Sequence, residues 1–142
     1  MDSALLVKNK IEIDAPASKV WEILVAPKYI RQWDDLPADF GDYYLELGMV
    51  ISWMGNSRLT VIECEPYERL KLSLYAEKWE LPPASYDVNY FYLISGSGTG
   101  VILELQIGDF SSLPDGETFY KTAEAFAATA LEKIKNLSEN RL

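Results

Sequence analysis

Hydrophobic and polar residues alternate in residues 5–14, where Val7, Ile11 and Ile13 share one side and charged residues occupy the other. A period of two is typical of a strand with one buried face. Pro16 ends this strand, and it suits the first turn of a helix because it has no N–H group to leave unsatisfied. The chain is therefore expected to begin with a strand that leads into a helix.

In residues 17–25 the spacing of apolar residues changes from two to the three or four of a helix. Pro27 ends this helix and opens a second short one, in which Ile30 and Trp33 lie three positions apart. Two short helices are thus predicted directly after the first strand.

Strand-like runs dominate the middle of the chain. Short connections rich in glycine, proline and asparagine separate most of them, which indicates an antiparallel sheet built of hairpins. Pro82 and Pro83 interrupt the ladder once, and Trp79 lies on the loop that they form. The six runs are residues 42–47, 49–54, 58–65, 69–76, 86–95 and 100–108.

A long helix follows residue 116 and continues to about Leu137. At 1.5 Å per residue such a helix reaches about 30 Å, enough to cross a small sheet. Its apolar stripe contains small side chains at Ala123, Ala127 and Ala130.

This order of elements predicts one α+β domain over residues 1–142, with a curved seven-stranded antiparallel sheet wrapped around the C-terminal helix. Small residues on the helix then face large residues on the sheet. We expect the mismatch to leave a cavity between the sheet and the C-terminal helix.

Several short motifs resemble the START-like, or SRPBCC, helix-grip superfamily, and most of all its branch related to the activator of the 90-kDa heat-shock-protein ATPase. They are the residues 11–16 followed by Val20 and Trp21, Pro27 with residues 30–33, Gly98 and Thr99 before a strand, and residues 131–135. Many relatives carry tryptophan where Ala127 stands. The resemblance implies a helix-grip fold, and it implies functions as different as hydrophobe binding, polyketide cyclisation and chaperone activation.

Composition excludes some partners. Acidic residues outnumber basic ones by 22 to 13, a net charge of −9, so polyanions such as nucleic acids and anionic membranes are repelled. The single Cys64 cannot form an internal disulfide, and no signal-like start or long apolar run is present. We expect a cytoplasmic protein without cofactors. The sequence leaves open whether two copies of the chain form a homodimer.

Histidine is absent, so no imidazole is available as a base, a nucleophile's partner or a metal ligand. Cys64 lies between two glutamates, which disfavours a reactive thiolate. Asp34, Asp35, Asp39 and Asp42 have no calcium-loop spacing and are interpreted as a solvated loop. No catalytic or metal-binding residues are predicted.

Aromatic residues are the best candidates for a binding site, since their rings fill apolar space while Tyr and Trp carry polar groups. If Val88 points inward, Tyr90 and Tyr92 do so too, although Phe91 and Leu93 would also suit a core. We therefore predict binding of a small hydrophobic or amphipathic molecule; the alternatives are a chaperone-activating module with a chaperone partner, or a cyclase- or hydrolase-type enzyme. The candidate residues are Trp33, Trp53, Trp79, Tyr90, Tyr92, Phe110, Phe119, Phe126 and Ala127.

Overall fold

The computed structural model describes residues 5–34, 41, 43–53, 57–76, 88–98, 100–111, 113 and 116–139. Within these ranges the order is one strand, two short helices, five strands and a long helix. The helices are α1 (Ala17–Val25), α2 (Pro27–Trp33) and α3 (Gly116–Ser138). The strands are β1 (Val7–Ile13), β2 (Val50–Trp53), β3 (Ser57–Glu65), β4 (Arg69–Ala76), β5 (Asn89–Ser97) and β6 (Gly100–Gly108).

All the strands join one antiparallel sheet in the order β1-β6-β5-β4-β3-β2. Strands β2 to β6 lie side by side in the order of the chain. Strand β1 forms the other edge of the sheet, where it pairs with β6. With the long α3 lying over the sheet, this is the α+β helix-grip architecture that the order of elements predicts.

The buried side chains of neighbouring strands stand in register. Tyr92 pairs with Leu105 on one side and with Leu70 on the other, and all three are buried. Val88 is fully buried and Tyr92 is 3% exposed, whereas Phe91 and Leu93 on the opposite face are half-buried. The two tyrosines therefore belong to the inner face, which decides the alternative that the alternation of β5 left open.

The two short helices turn their apolar faces inward as their spacing predicts. Val20, Ile23 and Leu24 of α1 are buried, and so are Ile30 and Trp33 of α2. Neither helix has a side-chain cap, so tertiary packing of these faces must supply most of their stability.

Helix α3 packs on β1 and β6 and also touches α1 and α2. A polar cluster holds its last turn against the end of β1. The Glu139 carboxylate accepts hydrogen bonds from the Asp14 amide at 2.7 Å and from the Lys135 ammonium at 2.9 Å. Lys135 donates in addition to the Glu12 carbonyl at 2.7 Å.

The prediction of a strand at residues 42–47 is wrong for Tyr43–Leu47, so the described sheet has six strands instead of seven. Although this segment alternates like a strand, its Leu45 amide donates to the Val25 carbonyl at the end of α1, 2.9 Å away. Regular pairing with β3 starts only near Gly48, whose amide donates to the Val61 carbonyl at 2.8 Å. The segment thus serves as a connection that docks on the helices.

None of the helices in the described ranges is both long enough and apolar enough to cross a membrane.

Candidate functional site

A pocket lies between the two short helices and the β2-to-β5 part of the sheet. Leu24, Ile30 and Leu45 form its helix-and-loop side. Its floor is formed by side chains of the inner sheet face, which are Ile51, Leu59, Leu70 and Leu72. Most of the wall is therefore aliphatic.

The pocket is narrow and opens to solvent. Its cavity volume is about 30 Å³. Sites for small molecules commonly measure about 300–1,000 Å³, so the enclosed cavity is far smaller than a typical site. The enclosed part admits a small group or one edge of a ring system, and a larger guest extends into the mouth.

Three residues give the pocket a polar corner, namely Tyr90 and Tyr92 of β5 and Asp34 just after α2. Neither tyrosine hydroxyl makes a hydrogen bond to any residue in the described part of the chain. Neither hydroxyl is among the fully buried polar atoms without a partner, so water in the pocket can reach both, and a guest that replaces this water can accept their hydrogen bonds.

Burial, and to a smaller extent the charge of the nearby Asp34 carboxylate, raise the pKa of Tyr90 to about 12. Tyr92 is more deeply buried, and burial followed by the charge of Asp34 holds its pKa well above 10. Both phenols are therefore protonated at neutral pH. They can donate hydrogen bonds but cannot act as bases.

Trp33 closes one end of the pocket with its ring instead of its polar group. Its indole N–H donates to the Ile23 carbonyl at 2.9 Å, which holds α2 against α1. Its ring meets Tyr92 edge-on, with centroids 5.9 Å apart. The ring thus fixes the position of Tyr92, and its N–H is already satisfied.

The described pocket does not lie at the predicted position between the sheet and α3, and a cavity at that position stays a prediction. None of the pocket's described lining residues belongs to α3. Ala127 and Ala130 are fully buried in the core that α3 shares with the β1–β6 side of the sheet. Small side chains let a helix approach its neighbour closely, so these methyl groups bring α3 down onto the sheet and leave the opening beneath α1 and α2.

Of the predicted aromatic residues, Trp33, Tyr90 and Tyr92 line the pocket. Phe126 of α3 lies behind it, edge-on to Tyr90 with centroids 5.9 Å apart. Phe110 and Phe119 stack on each other at 6.1 Å and are not part of the described lining.

These contacts do not show whether two further candidates, Trp53 and Trp79, line the pocket. Only the backbone of Trp53 falls in the described part, on β2, and Trp79 lies outside the described residues. Sequence reasoning also missed the aliphatic lining and Asp34. The alternation of Leu70 and Leu72 along their strand is a signal that could have identified the aliphatic lining. The position of Asp34 depends on how α2 ends.

Three solved structures resemble this chain across most of its length. The Aha1 dimer from Colwellia psychrerythraea has a TM-score of 0.73 at 13% identity, with 96% of this chain and 97% of that chain covered. Protein MLL2253 from Mesorhizobium loti has a TM-score of 0.74 at 22% identity, with coverage of 95% and 97%. CalU16 from Micromonospora echinospora has 0.72 at 24% identity, with coverage of 96% and 67%.

At these identities the structures support the fold alone. A comparison with curated protein sequences finds no match. Residues 14–139, however, match the family described as Activator of Hsp90 ATPase homolog 1-like protein. That range holds α1, α2, the five strands from β2 to β6 and α3, so the chain belongs to the Activator of Hsp90 ATPase homolog 1-like family.

Proposed function

We propose that this protein binds a small, largely apolar molecule in the pocket under α1 and α2. The observation that carries the proposal is the pair Tyr90 and Tyr92, which line a mostly aliphatic pocket and whose hydroxyls donate to no described residue. Apolar pockets with a few convergent polar groups are the usual form of small-molecule sites.

Naphthalene is a suitable first probe, and the indole N–H of Trp33 is a suitable reporter in an NMR titration. The Trp33 signal is assigned by its loss in Trp33→Phe. We expect a saturable shift, because the Trp33 ring lies in the pocket wall. If no shift occurs up to the solubility limit of naphthalene, the proposal is wrong.

A matched pair of variants locates the binding. Leu72→Phe adds volume at the pocket floor and should abolish the response. Leu93→Phe makes the same change on the outer face of β5 and should leave it intact. Equal effects of the two variants would place the probe elsewhere.

Membership of the family favours a second candidate, activation of an Hsp90 ATPase. The measurement is the ATP hydrolysis rate of purified Hsp90 with and without excess of this chain. A rate that does not change removes this candidate and leaves the binding proposal untouched.

Asp34 beside two protonated tyrosines favours an enzyme that uses the same pocket, with Asp34 as a base and the phenols as donors to a carbonyl oxygen. Such a site would exchange the α-protons of a small ketone with deuterated water. No exchange above the buffer rate in wild type, or equal exchange in Asp34→Asn, would exclude it.

The Colwellia relative is named as a dimer, which supports a homodimer as the assembly of this chain. Light scattering coupled to size-exclusion chromatography measures the mass directly. A mass of 16.1 kDa at all concentrations tested would reject the dimer.

A further inference from the structure

The polar corner of the pocket contains two kinds of group, hydrogen-bond donors and a negative charge. Tyr90 and Tyr92 offer two O–H donors, and the Asp34 carboxylate stands at the same pocket. No lysine or arginine is present among the described lining residues. A guest therefore meets two hydrogen-bond donors and one negative charge.

The charge of Asp34 reaches both hydroxyls, since it contributes to the raised pKa of each tyrosine after burial itself. Any group that binds at these hydroxyls therefore lies within the field of the carboxylate. Like charges a few Å apart in a partly buried site repel each other several times more strongly than in bulk water.

The described lysines and arginines near the pocket lie outside its described lining. Arg31, one turn earlier on α2, is exposed and donates to the Gly41 carbonyl at 2.7 Å. Lys71 and Arg58 lie on the outer face of the sheet, where they stack over Phe91 and Tyr75. The net charge of −9 adds a weaker repulsion over the whole surface.

We infer that the pocket selects neutral guests that carry a hydrogen-bond acceptor, such as aryl ketones, and rejects carboxylate-bearing guests of the same shape. The acceptor oxygen receives hydrogen bonds from Tyr90 and Tyr92, while Asp34 excludes an anion. This inference rests on the proposed binding function and narrows its ligand class.

Three probes of one shape test it, and these are naphthalene, 2-acetylnaphthalene and 2-naphthoate at pH 7, titrated against the Trp33 indole signal. One good hydrogen bond corresponds to roughly two- to tenfold in affinity, so the ketone should bind that much more tightly than naphthalene. The carboxylate should bind at least about tenfold more weakly than the ketone.

Variants assign the two effects to their residues. Tyr90→Phe and Tyr92→Phe keep the rings and should bring the affinity for the ketone down to that for naphthalene. Asp34→Asn should raise the affinity for 2-naphthoate relative to the affinity for naphthalene. Glu46→Gln is the matched control, because it removes one negative charge from the exposed connection outside the described lining.

The outcomes separate the inference from the proposed function. If naphthalene binds but 2-naphthoate binds as tightly as the ketone, the inference is wrong and the binding proposal stands. If Asp34→Asn and Glu46→Gln raise naphthoate affinity equally, the selectivity belongs to net charge, and the inference is again wrong. If none of the probes binds, both are wrong.

Discussion

Tyr90 and Tyr92 each combine an apolar ring that packs in the core with a polar hydroxyl group. Their rings belong to the inner face of the sheet, and their hydroxyls lack a partner among the described residues. Phenylalanine would serve the packing equally well but would offer no hydrogen-bond donor to the pocket. This contrast is the residue-level reason for assigning the hydroxyls to a guest.

The raised pKa of Tyr90 predicts sensitivity to alkali. Its folded pKa of about 12 lies above the ordinary value of 10.0, so its contribution to stability is complete below pH 10 and is lost as the pH rises to 12. For one proton the slope reaches about 1.4 kcal/mol per pH unit. Urea unfolding of wild type and Tyr90→Phe between pH 9 and 12 should show a shallower decline for the variant.

Tyr67 provides the control for this series, because its side chain is 54% exposed. Tyr67→Phe should follow the wild-type decline. If Tyr90→Phe follows it too, the Tyr90 hydroxyl is not held in a buried site.

Among the secondary-structure elements, the contact between β1 and β6 depends on one glycine. A Cβ atom at Gly100 would lie 2.2 Å from the Ile13 carbonyl oxygen, closer than any packing allows. Gly100→Ala should therefore destabilise the protein by about 1–3 kcal/mol, as measured by urea unfolding.

Gly96 on β5 is the matched control, since a Cβ there meets nothing within 4 Å. Gly96→Ala should be neutral or stabilise by up to about 1 kcal/mol, because alanine restricts the unfolded chain. Equal losses for both variants would mean that the close approach at Gly100 does not exist.

The last turn of α3 depends on Glu139, whose side chain is only 4% exposed. Glu139→Ala removes the acceptor for Lys135 and for the Asp14 amide, and should cost about 1.5–3 kcal/mol of unfolding free energy. Glu132→Ala changes the same residue type on the exposed face and should cost far less. A similar cost at both positions would contradict this anchoring role.

For the molecule as a whole, the question is where the empty space lies. Ala127 is fully buried, so Ala127→Trp inserts a large ring into packed core and should cost about 1–3 kcal/mol or more. Leu72→Phe expands into the pocket and should cost less than about 1.5 kcal/mol. If Ala127→Trp is the better tolerated of the two in thermal or urea unfolding, the cavity lies under α3 after all.

The periodicity of apolar residues predicted most of the helices and strands. The stripe of Val20, Ile23 and Leu24 predicted α1, and β4 and β6 have the predicted bounds at residues 69–76 and 100–108. These features depend on near neighbours in the chain, and a period of two or of 3.6 reports them directly. The same alternation misled at Tyr43–Leu47, because the pattern does not say whether a strand or a helix end accepts the Leu45 amide.

The sequence by itself determined the order of elements and the resemblance to the helix-grip superfamily. It also showed that Tyr90 and Tyr92 lie on the same face of β5. Only the tertiary structure decided which face that is, where α3 rests and where the pocket opens. Each of these depends on contacts between residues far apart in the chain. Asp34 is the clearest case, because the sequence indicated only a solvated acidic loop there and the packing of α2 against the sheet brings it beside two tyrosines.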